Sequence, residues 1–263
     1  MTPTAGERTD FLGLQFDPWE SAEVLRSIIK LAQAPTFSFV VTPNVDHIVR
    51  LQRIGDPALN KAYEAAALCI CDSRILSRLA SWSGIDLPAV PGSDLTRALL
   101  AEHLPDCDVA VIGGDIELHG ELEARYPRFH WHFHVPPMGV RTDKMAREQI
   151  AAFVEASRAN VVFFAIGAPQ SEIVCAEIGA GGRAGGVGLC IGASLEFLTG
   201  AKQRAPRWLQ RAGLEWLFRL VSEPRRLGRR YLVEGPRIFG IWRRWKKLSS
   251  DRARFGSIPS DDA

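Results

Sequence analysis

The run NVVFFAIGAPQ (160–170) decides the fold, because a continuous apolar stretch stops abruptly in a turn of small and polar residues. A strand that is buried on both faces of a parallel sheet has this composition. Five other apolar, β-branched or aromatic runs are also predicted to be strands. They are FSFVV (37–41), ALCIC (67–71), DVAVIG (108–113), FHWHFHV (129–135) and GVGLCIG (186–192).

Three segments between these runs have apolar residues at helical spacing. They are SDLTRALLAEHL (93–104), IELHGELEARY (116–126) and DKMAREQIAAFVEASR (143–158). Strands that alternate with helices form a parallel sheet covered by helices. The chain is therefore predicted to be α/β, with a Rossmann-like, mainly parallel sheet and helices on both faces.

The composition indicates a globular protein with a sizeable core, since 46% of the 263 residues are hydrophobic and 24% are charged. The longest stretch without a charged residue, 31–45, contains two prolines and is shorter than the roughly 20 apolar residues of a membrane-spanning helix. The first residues lack the apolar region of a secretory signal, so a cytoplasmic location is expected. The five cysteines include no CxxC pair and are expected to be reduced, mostly buried thiols.

Positive charge is concentrated near the C-terminus. The segment 202–254 holds 16 of the 32 Lys and Arg but only 4 of the 30 Asp and Glu, a local net charge of +12, and it carries four of the seven tryptophans. We expect it to meet an anionic partner. The predicted division is an α/β body (1–200), a basic, tryptophan-rich helical appendage (201–254) and a disordered tail (255–263).

Two helices are predicted in the appendage. The first, 207–222, is apolar around most of its circumference and is expected to pack against the body or against a second copy in a homo-oligomer. The second, 237–248, has an apolar stripe opposite a cationic face, the pattern of a helix that lies on an anionic membrane surface. Its predicted membrane residues are Trp242 and Trp245 in the stripe, and Arg243, Arg244, Lys246 and Lys247 on the other face.

Five of the strand runs end in small or polar turns: TPN (42–44), DS (72–73), GGD (113–115), GAPQ (167–170) and GAS (192–194). In an open α/β sheet the ligand crevice lies outside these carboxyl ends. Asp72 could act there as a general base toward a hydroxyl, because the strand fixes its position. The alternative is that Asp72 caps the next helix, and the residues alone slightly favour the cap.

Gly113, Gly114 and Asp115 follow a strand and precede a helix, so their backbone N–H groups could face a phosphate. A tight strand-to-helix turn explains them equally well, since GGDIEL is not a GxGxxG fingerprint.

The histidines at 130, 132 and 134 alternate along one strand and would share a face, as metal ligands can. No carboxylate or thiolate is placed near them by the sequence, so partly exposed histidines are favoured and no metal site is predicted.

Arg219, Arg226 and Arg229 are spaced seven and three apart, so a near-helical path would bring them to one face despite Pro224. Guanidinium groups in that arrangement can neutralise a diphosphate without a divalent metal. A solvated charge run is the alternative.

The long block IGASLEFLTGAKQRAPRWLQRAGLEWLFRLVSEPRRLGRRYL (191–232) resembles the C-terminal signature of the WecG/TagA/CpsF glycosyltransferases. Further segments resemble the family in the same order, and together they span about residues 10–232. They are VVTPNVDHIV (40–49), CDSRILSRL (71–79), PGSDL (91–95), VIGGDIEL (111–118) and GAPQSEIV (167–174).

The resemblance implies transfer of a hexose-type sugar from a UDP-sugar to a polyprenyl-diphosphate-linked saccharide, with inversion and with neither a metal nor a cofactor. Members of this family build teichoic acid linkage units, enterobacterial common antigen, capsules and exopolysaccharides, so a peripheral position on the inner face of the plasma membrane is implied.

Several residues take on roles through this resemblance. Asp72 matches the catalytic base, which overturns the preference for a cap, and Thr42 and Asn44 match polar residues of the catalytic pocket. Arg219, Arg226 and Arg229 match arginines of an appendage that completes the site at the membrane. The implied UDP-sugar residues are Gly113, Gly114, Asp115, Gly167, Pro169, Gln170, Ser171, Glu172, Gly192, Ser194 and Glu196.

The chain departs from the family pattern at three positions. Ser73 replaces the glycine that follows the base, Ser171 replaces the glutamine before the glutamate of the GxPxQE motif, and Glu196 replaces an aspartate near the uracil. The donor sugar is therefore left open.

Two rival functions remain from the residues alone. A nucleic-acid-binding protein would use the basic appendage on phosphates, although no nucleic-acid fold signature is present and no such partner is predicted. A nicotinamide-dependent oxidoreductase would need the glycine fingerprint that the chain lacks.

Overall fold

Six parallel strands form the central sheet in a computed structural model that describes residues 7–206, 208–209 and 213–255. All six strands fall inside the predicted runs, which confirms the predicted fold class. Two strands, β1 (Thr9–Phe11) and β2 (Leu14–Phe16), form a separate hairpin. The six strands of the sheet are, in chain order, β3 (Ser38–Val41), β4 (Leu68–Cys69), β5 (Asp108–Ile112), β6 (His130–His134), β7 (Val161–Phe164) and β8 (Val187–Cys190). The sheet order is β4-β3-β8-β7-β5-β6.

Helices connect the strands and continue to the end of the described chain. They are α1 (Ser21–Ala32), α2 (Val45–Ile54), α3 (Pro57–Ala65), α4 (Arg74–Ser81), α5 (Gly92–Ala98), α6 (Ile116–Arg125), α7 (Lys144–Ser157), α8 (Gln170–Gly181), α9 (Ser194–Thr199), α10 (Glu215–Ser222), α11 (Pro224–Arg229) and α12 (Arg237–Phe255). Wider π-helical turns follow α5 at Leu99–His103 and α11 at Arg230–Glu234.

The helices cover both faces of the sheet because successive strand side chains point to opposite sides. In β7, Val161 and Phe163 pack against α1, α5, α6 and α9, whereas Val162 and Phe164 pack toward α2, α3, α7 and α8. Both faces of the strand are fully buried, as its continuous apolar sequence predicts.

A short antiparallel hairpin of β1 and β2 precedes the sheet and has no counterpart in the sequence prediction. Asp17, which follows β2, accepts a hydrogen bond from the backbone N–H of Cys69 at 2.8 Å, and Arg8 pairs with the same carboxylate at 3.2 Å. The hairpin therefore supports the β4 edge of the sheet, next to the turn that carries Asp72.

The helix predicted over 207–222 is not continuous. Gly213 adopts φ +74°, and α10 begins at Glu215. Residues 207 and 210–212 lie outside the described part of the chain. Leu217 and Val221 of α10 are exposed, so the predicted homo-oligomer stays a prediction.

The apolar stripe of α12 packs against the protein at Ile238, Ile241, Trp242 and Trp245, which corrects the prediction that these side chains face lipid, whereas Leu248 at the end of the stripe is exposed. Ile238 and Ile241 are buried in the same core as α2. The indole N–H of Trp242 donates to Ser83 Oγ at 2.8 Å, and that of Trp245 donates to Asp10 Oδ1 at 3.0 Å. An amphipathic pattern shows that a face is apolar but not whether protein or lipid covers it.

The cationic face of α12 is exposed, with Arg243, Arg244, Lys246 and Lys247 toward solvent. The helix extends to Phe255, seven residues beyond its predicted end, which corrects the predicted start of the disordered tail (255–263). Residues 256–263 lie outside the described part of the chain. Within the described ranges, no helix is long and apolar enough to cross a membrane.

The three histidines of β6 have different surroundings. His132 Nε2 lies 2.9 Å from Asp108 Oδ1, His130 is exposed, and His134 stacks on Phe153. In the described chain, no three His, Cys, Asp or Glu side chains are grouped as a metal site. All five cysteines are free thiols and four are buried, as predicted.

Candidate active site

A polar cavity of about 390 Å³ lies at the carboxyl ends of β4, β3, β8 and β7, four neighbouring strands of the sheet. The turns after these strands, together with the first residues of α8 and α9, supply nine of its predicted residues, which lie far apart in the sequence. They are Thr42, Asn44, Asp72, Gly167, Ser171, Glu172, Gly192, Ser194 and Glu196.

Asp72 does not cap the next helix. Its Oδ1 accepts the backbone N–H of Gly92 at 2.7 Å, while Ser73 caps α4 by accepting the N–H of Leu76. Burial raises the pKa of Asp72 to about 6. The Gly92 N–H opposes this rise, Glu215 adds to it, and Arg219 opposes it. A carboxylate with this pKa is ionised at neutral pH and basic enough to take a proton from a hydroxyl.

Thr42 and Asn44 follow β3 and lie beside Asp72. Thr42 Oγ1 donates to the backbone carbonyl of Cys190 at 3.0 Å, which ties the end of β3 to the end of β8. Asn44 caps α2 by accepting the N–H of Asp46 at 3.0 Å, and its side chain lowers the pKa of Asp72. Both polar side chains are therefore fixed before any ligand binds.

The appendage closes one side of the cavity with arginines. Arg219 and Arg226 line it, as predicted, and the Arg219 guanidinium lies 4.6 Å from the centre of the Phe197 ring. Arg229 does not line it, because its side chain is 83% exposed and lies toward Glu234. Its neighbour Arg230 occupies the cavity instead.

Arg230 joins the two parts of the chain. Its guanidinium lies 3.2 Å from the carboxylate of Asp46, which also pairs with Arg50 at 3.1 Å. The Nε of Arg230 is buried and has no hydrogen-bond partner within the described residues. A donor in this position is available to an anionic ligand.

A second, largely apolar groove of about 490 Å³ meets the polar cavity at Asp72. The residues that line both the cavity and the groove include Asn44, Asp46, Asp72, Glu215, Arg219, Arg230 and Tyr231. The rest of the groove is formed by apolar side chains of α4, α10 and α12, with Arg74 and Arg78 beside them. These apolar residues include Ile75, Leu79, Trp82, Leu214, Trp216, Ile238 and Phe239. Asp72 is thus accessible from a polar side and from an apolar side.

The sequence model of the glycosyl transferase WecG/TagA/CpsF family matches residues 9–252. The chain belongs to the WecG/TagA/CpsF family. It is therefore a glycosyltransferase of cell-surface polysaccharide synthesis. The match covers the sheet, the cavity and nearly all of the appendage, which extends the resemblance seen over residues 10–232.

The departures from the WecG/TagA/CpsF pattern have local structural roles. Ser73 forms the α4 cap, and Ser171 donates from Oγ to the carbonyl of Gly167 at 2.9 Å and is buried. Glu196 pairs with Lys202 at the mouth of the cavity. Two of the three departures, Ser171 and Glu196, line the cavity where a donor would bind.

Five of the predicted UDP-sugar residues lie outside the cavity lining. Gly113, Gly114 and Asp115 follow β5, one strand beyond the four that surround the cavity, and Asp115 caps α6 by accepting the N–H of Leu118 at 2.9 Å. Pro169 forms the N-cap of α8, and Gln170 donates to the carbonyl of Ile166 at 2.7 Å. Their role in donor binding stays a prediction.

The cavity residues that the sequence reasoning missed include His47, Arg50, Glu215 and Arg230. All four lie on or directly after helices, whereas the prediction considered mainly the turns after strands. His47 and Arg50 follow Asn44 by one and two helical turns, and that spacing could have indicated them.

Proposed function

We propose that the chain transfers a hexose-type sugar, such as ManNAc, ManNAcA or glucose, from a UDP-sugar to a polyprenyl-diphosphate-linked saccharide. The observation that carries this proposal is the position of Asp72, where the polar cavity meets the apolar groove. A sugar nucleotide suits the polar side and an isoprenyl lipid suits the apolar side. An acceptor hydroxyl would meet the anomeric carbon beside a carboxylate of suitable pKa.

The proposed reaction is a single displacement. The acceptor oxygen attacks the anomeric carbon, its proton passes to Asp72, and the bond from that carbon to the diphosphate breaks, so UDP leaves and the configuration inverts. Arg219, Arg226 and Arg230 surround the cavity and would neutralise the diphosphate charge as it develops. Such a cluster can serve where other transferases use a divalent cation, which supports metal-independent transfer.

Donor binding provides the first test. UDP in a metal-free, EDTA-containing buffer should raise the melting temperature by about 5 °C or more at 100 times its dissociation constant. A panel of UDP-sugars then identifies the donor by transfer to a short-chain isoprenyl-diphosphate-linked saccharide. Stabilisation by NADH but not by UDP would instead support the oxidoreductase alternative.

The proposed location is the inner face of the plasma membrane, with an anionic lipid surface as partner. The exposed cations of α12 and the exposed apolar side chains near them support this location, whereas the apolar stripe of α12 does not. Lys246 donates to the carbonyl of Trp82 at 3.2 Å, and the Trp82 side chain is 63% exposed. Phe239, in the wall of the apolar groove, is also exposed. A lipid-linked acceptor could therefore enter the groove from the membrane.

A charge-reversal variant tests this location. The double substitution Arg243→Glu/Arg244→Glu should weaken binding to vesicles that contain anionic lipid by about 30-fold or more, since each basic residue near such a surface contributes about 1 kcal/mol. The matched control is Lys61→Glu/Lys144→Glu, which reverses two exposed charges on α3 and α7. Equal losses in both variants, or stronger binding of the wild type to duplex DNA than to vesicles, would contradict the membrane proposal.

A further inference from the structure

A line of polar side chains runs from Asp72 along one side of the cavity. Asn44 lines the cavity with Asp72 and lowers its pKa, and the Asn44 side-chain Oδ1 lies 2.9 Å from Nδ1 of His47. On the far side of the ring, His47 Nε2 lies 3.6 Å from Glu172 Oε1. Four side chains from three segments of the chain thus form one line in space. It runs from Glu172 through His47 and Asn44 to Asp72, the carboxylate proposed as the base.

The neighbours of Asn44 assign the proton on His47. Asn44 Oδ1 already accepts the backbone N–H of Asp46, so the oxygen cannot be exchanged with the amide nitrogen. An unprotonated ring nitrogen 2.9 Å from this oxygen would place two acceptors in contact, and we therefore assign the proton to Nδ1. The Asn44 amide nitrogen is then the group through which this side chain can lower the pKa of Asp72.

A simpler role for His47 is to cap α2, because the backbone N–H of Asn44 lies 3.3 Å from the same Nδ1. That role needs Nδ1 to be an acceptor, which is the opposite tautomer. The contact with Asn44 Oδ1 is shorter by 0.4 Å, the difference between 3.3 and 2.9 Å, and it favours the donor form.

The ring is held neutral by its surroundings. Burial lowers the pKa of His47 to about 4; Asp46 opposes this, and Arg230 and Arg50 add to it. A neutral ring with its proton on Nδ1 has a lone pair on Nε2, directed toward Glu172.

Glu172 can supply the donor that this lone pair needs. The residue is 2% exposed, and among the described residues its Oε2 has no hydrogen-bond partner. Burial raises the pKa of Glu172 to about 7, opposed by its own backbone N–H and by Arg50. The remaining neighbours with an electrostatic influence here are neutral Tyr63, Cys175 and Cys190.

We propose that His47 is a positioning residue for Asp72: it holds the Asn44 amide so that its N–H faces the carboxylate, and Glu172 supports the imidazole from behind. The inference rests on the proposed function only in treating Asp72 as the base. Asp72 is also influenced by the Gly92 N–H, Glu215, Arg219 and Arg204. None of these four is removed by a change at His47.

Two polar substitutions of His47 distinguish a role in positioning the Asn44 amide from a role in the fold alone. In His47→Asn the side-chain amide nitrogen can occupy the place of Nδ1, whereas in His47→Gln it reaches the place of Nε2 and leaves the contact with Asn44 unmade. The wild-type kcat/KM should fall as the pH drops through about 6, because a protonated Asp72 cannot accept a proton. This acid limb should move up by about one pH unit in His47→Gln and stay in place in His47→Asn.

The Asp72 pKa should also be followed directly by carboxyl-carbon NMR in the absence of substrate, with Asn44→Ala giving the effect of losing the amide altogether. Equal Asp72 pKa values in the wild type and in folded His47→Gln would overturn the positioning role, even if turnover fell. An Asp72→Asn protein that still transferred sugar would refute the proposed function instead, while the NMR result would stand as a separate test of the His47 contact.

Discussion

Replacement of Asp72 with asparagine should lower sugar transfer by about 10²–10⁴-fold, the usual contribution of a positioned general base. The amide keeps an oxygen that can accept the Gly92 N–H, so the turn should retain its shape. It cannot take up the proton of the acceptor hydroxyl. UDP affinity, measured by calorimetry, should change by no more than about threefold, because the proposed mechanism has Asp72 act on the acceptor rather than on the nucleotide.

Asp143→Asn is the matched control for this substitution. Asp143 does not line the cavity and caps α7 by accepting the N–H of Ala146 at 3.1 Å, a role that asparagine performs about equally well. Its turnover should stay close to that of the wild type. Comparable losses in the two variants would mean that Asp72 acts through the fold, and near-normal transfer by Asp72→Asn would remove it from the mechanism.

The second large effect is expected at the arginines of the appendage. Arg219→Ala should lower kcat by about 10²–10³-fold, because this guanidinium lines the cavity in which the proposed mechanism places the leaving diphosphate. Arg230→Ala should also lower kcat by at least tenfold, since it removes a buried donor and the partner of Asp46. Arg219→Lys should recover only part of the activity, because lysine has the charge but not the two-pronged geometry.

Arg229→Ala is the matched control, since it removes an arginine that is adjacent to Arg230 but has its side chain in solvent. Its kcat should stay within about twofold of the wild type. All four variants would be compared in steady-state kinetics at saturating UDP-sugar. A loss in Arg229→Ala as large as that in Arg230→Ala would contradict the arrangement of the cavity seen here.

The strands were predictable because a doubly covered parallel sheet requires continuous apolar runs, and five of the six runs have that composition. The sixth, FHWHFHV, alternates with histidines and forms the edge strand β6. The turns after β3, β4, β7 and β8 were predictable for a related reason, as polar residues directly after a buried strand must lie at the sheet edge. Which strands are neighbours could not be derived in this way. The turn after β5 consequently falls outside the cavity lining, although its sequence resembles the others.

One arginine of the appendage, Arg229, was wrongly predicted to face the cavity, and the reason is physical. Spacings of seven and three place Arg219, Arg226 and Arg229 on one face only if the helix is regular. The chain instead breaks between α10 and α11 at Pro224 and widens into a π-helical turn at Arg230–Glu234. The π-helical turn begins at Arg230, which lines the cavity in place of Arg229.

The packing of α12 affects how this enzyme should be prepared for crystallography. Ile238 and Ile241 belong to the core that α2 shares, and loss of one such side chain costs about 2–5 kcal/mol of a total stability of about 5–15 kcal/mol. Shortening the chain at Gly200 to obtain a detergent-free sample would expose that core and yield an aggregating protein. Substitutions confined to Arg243, Arg244 and Lys247 keep the buried face of the helix and offer the better route to a specimen that remains monodisperse in plain buffer.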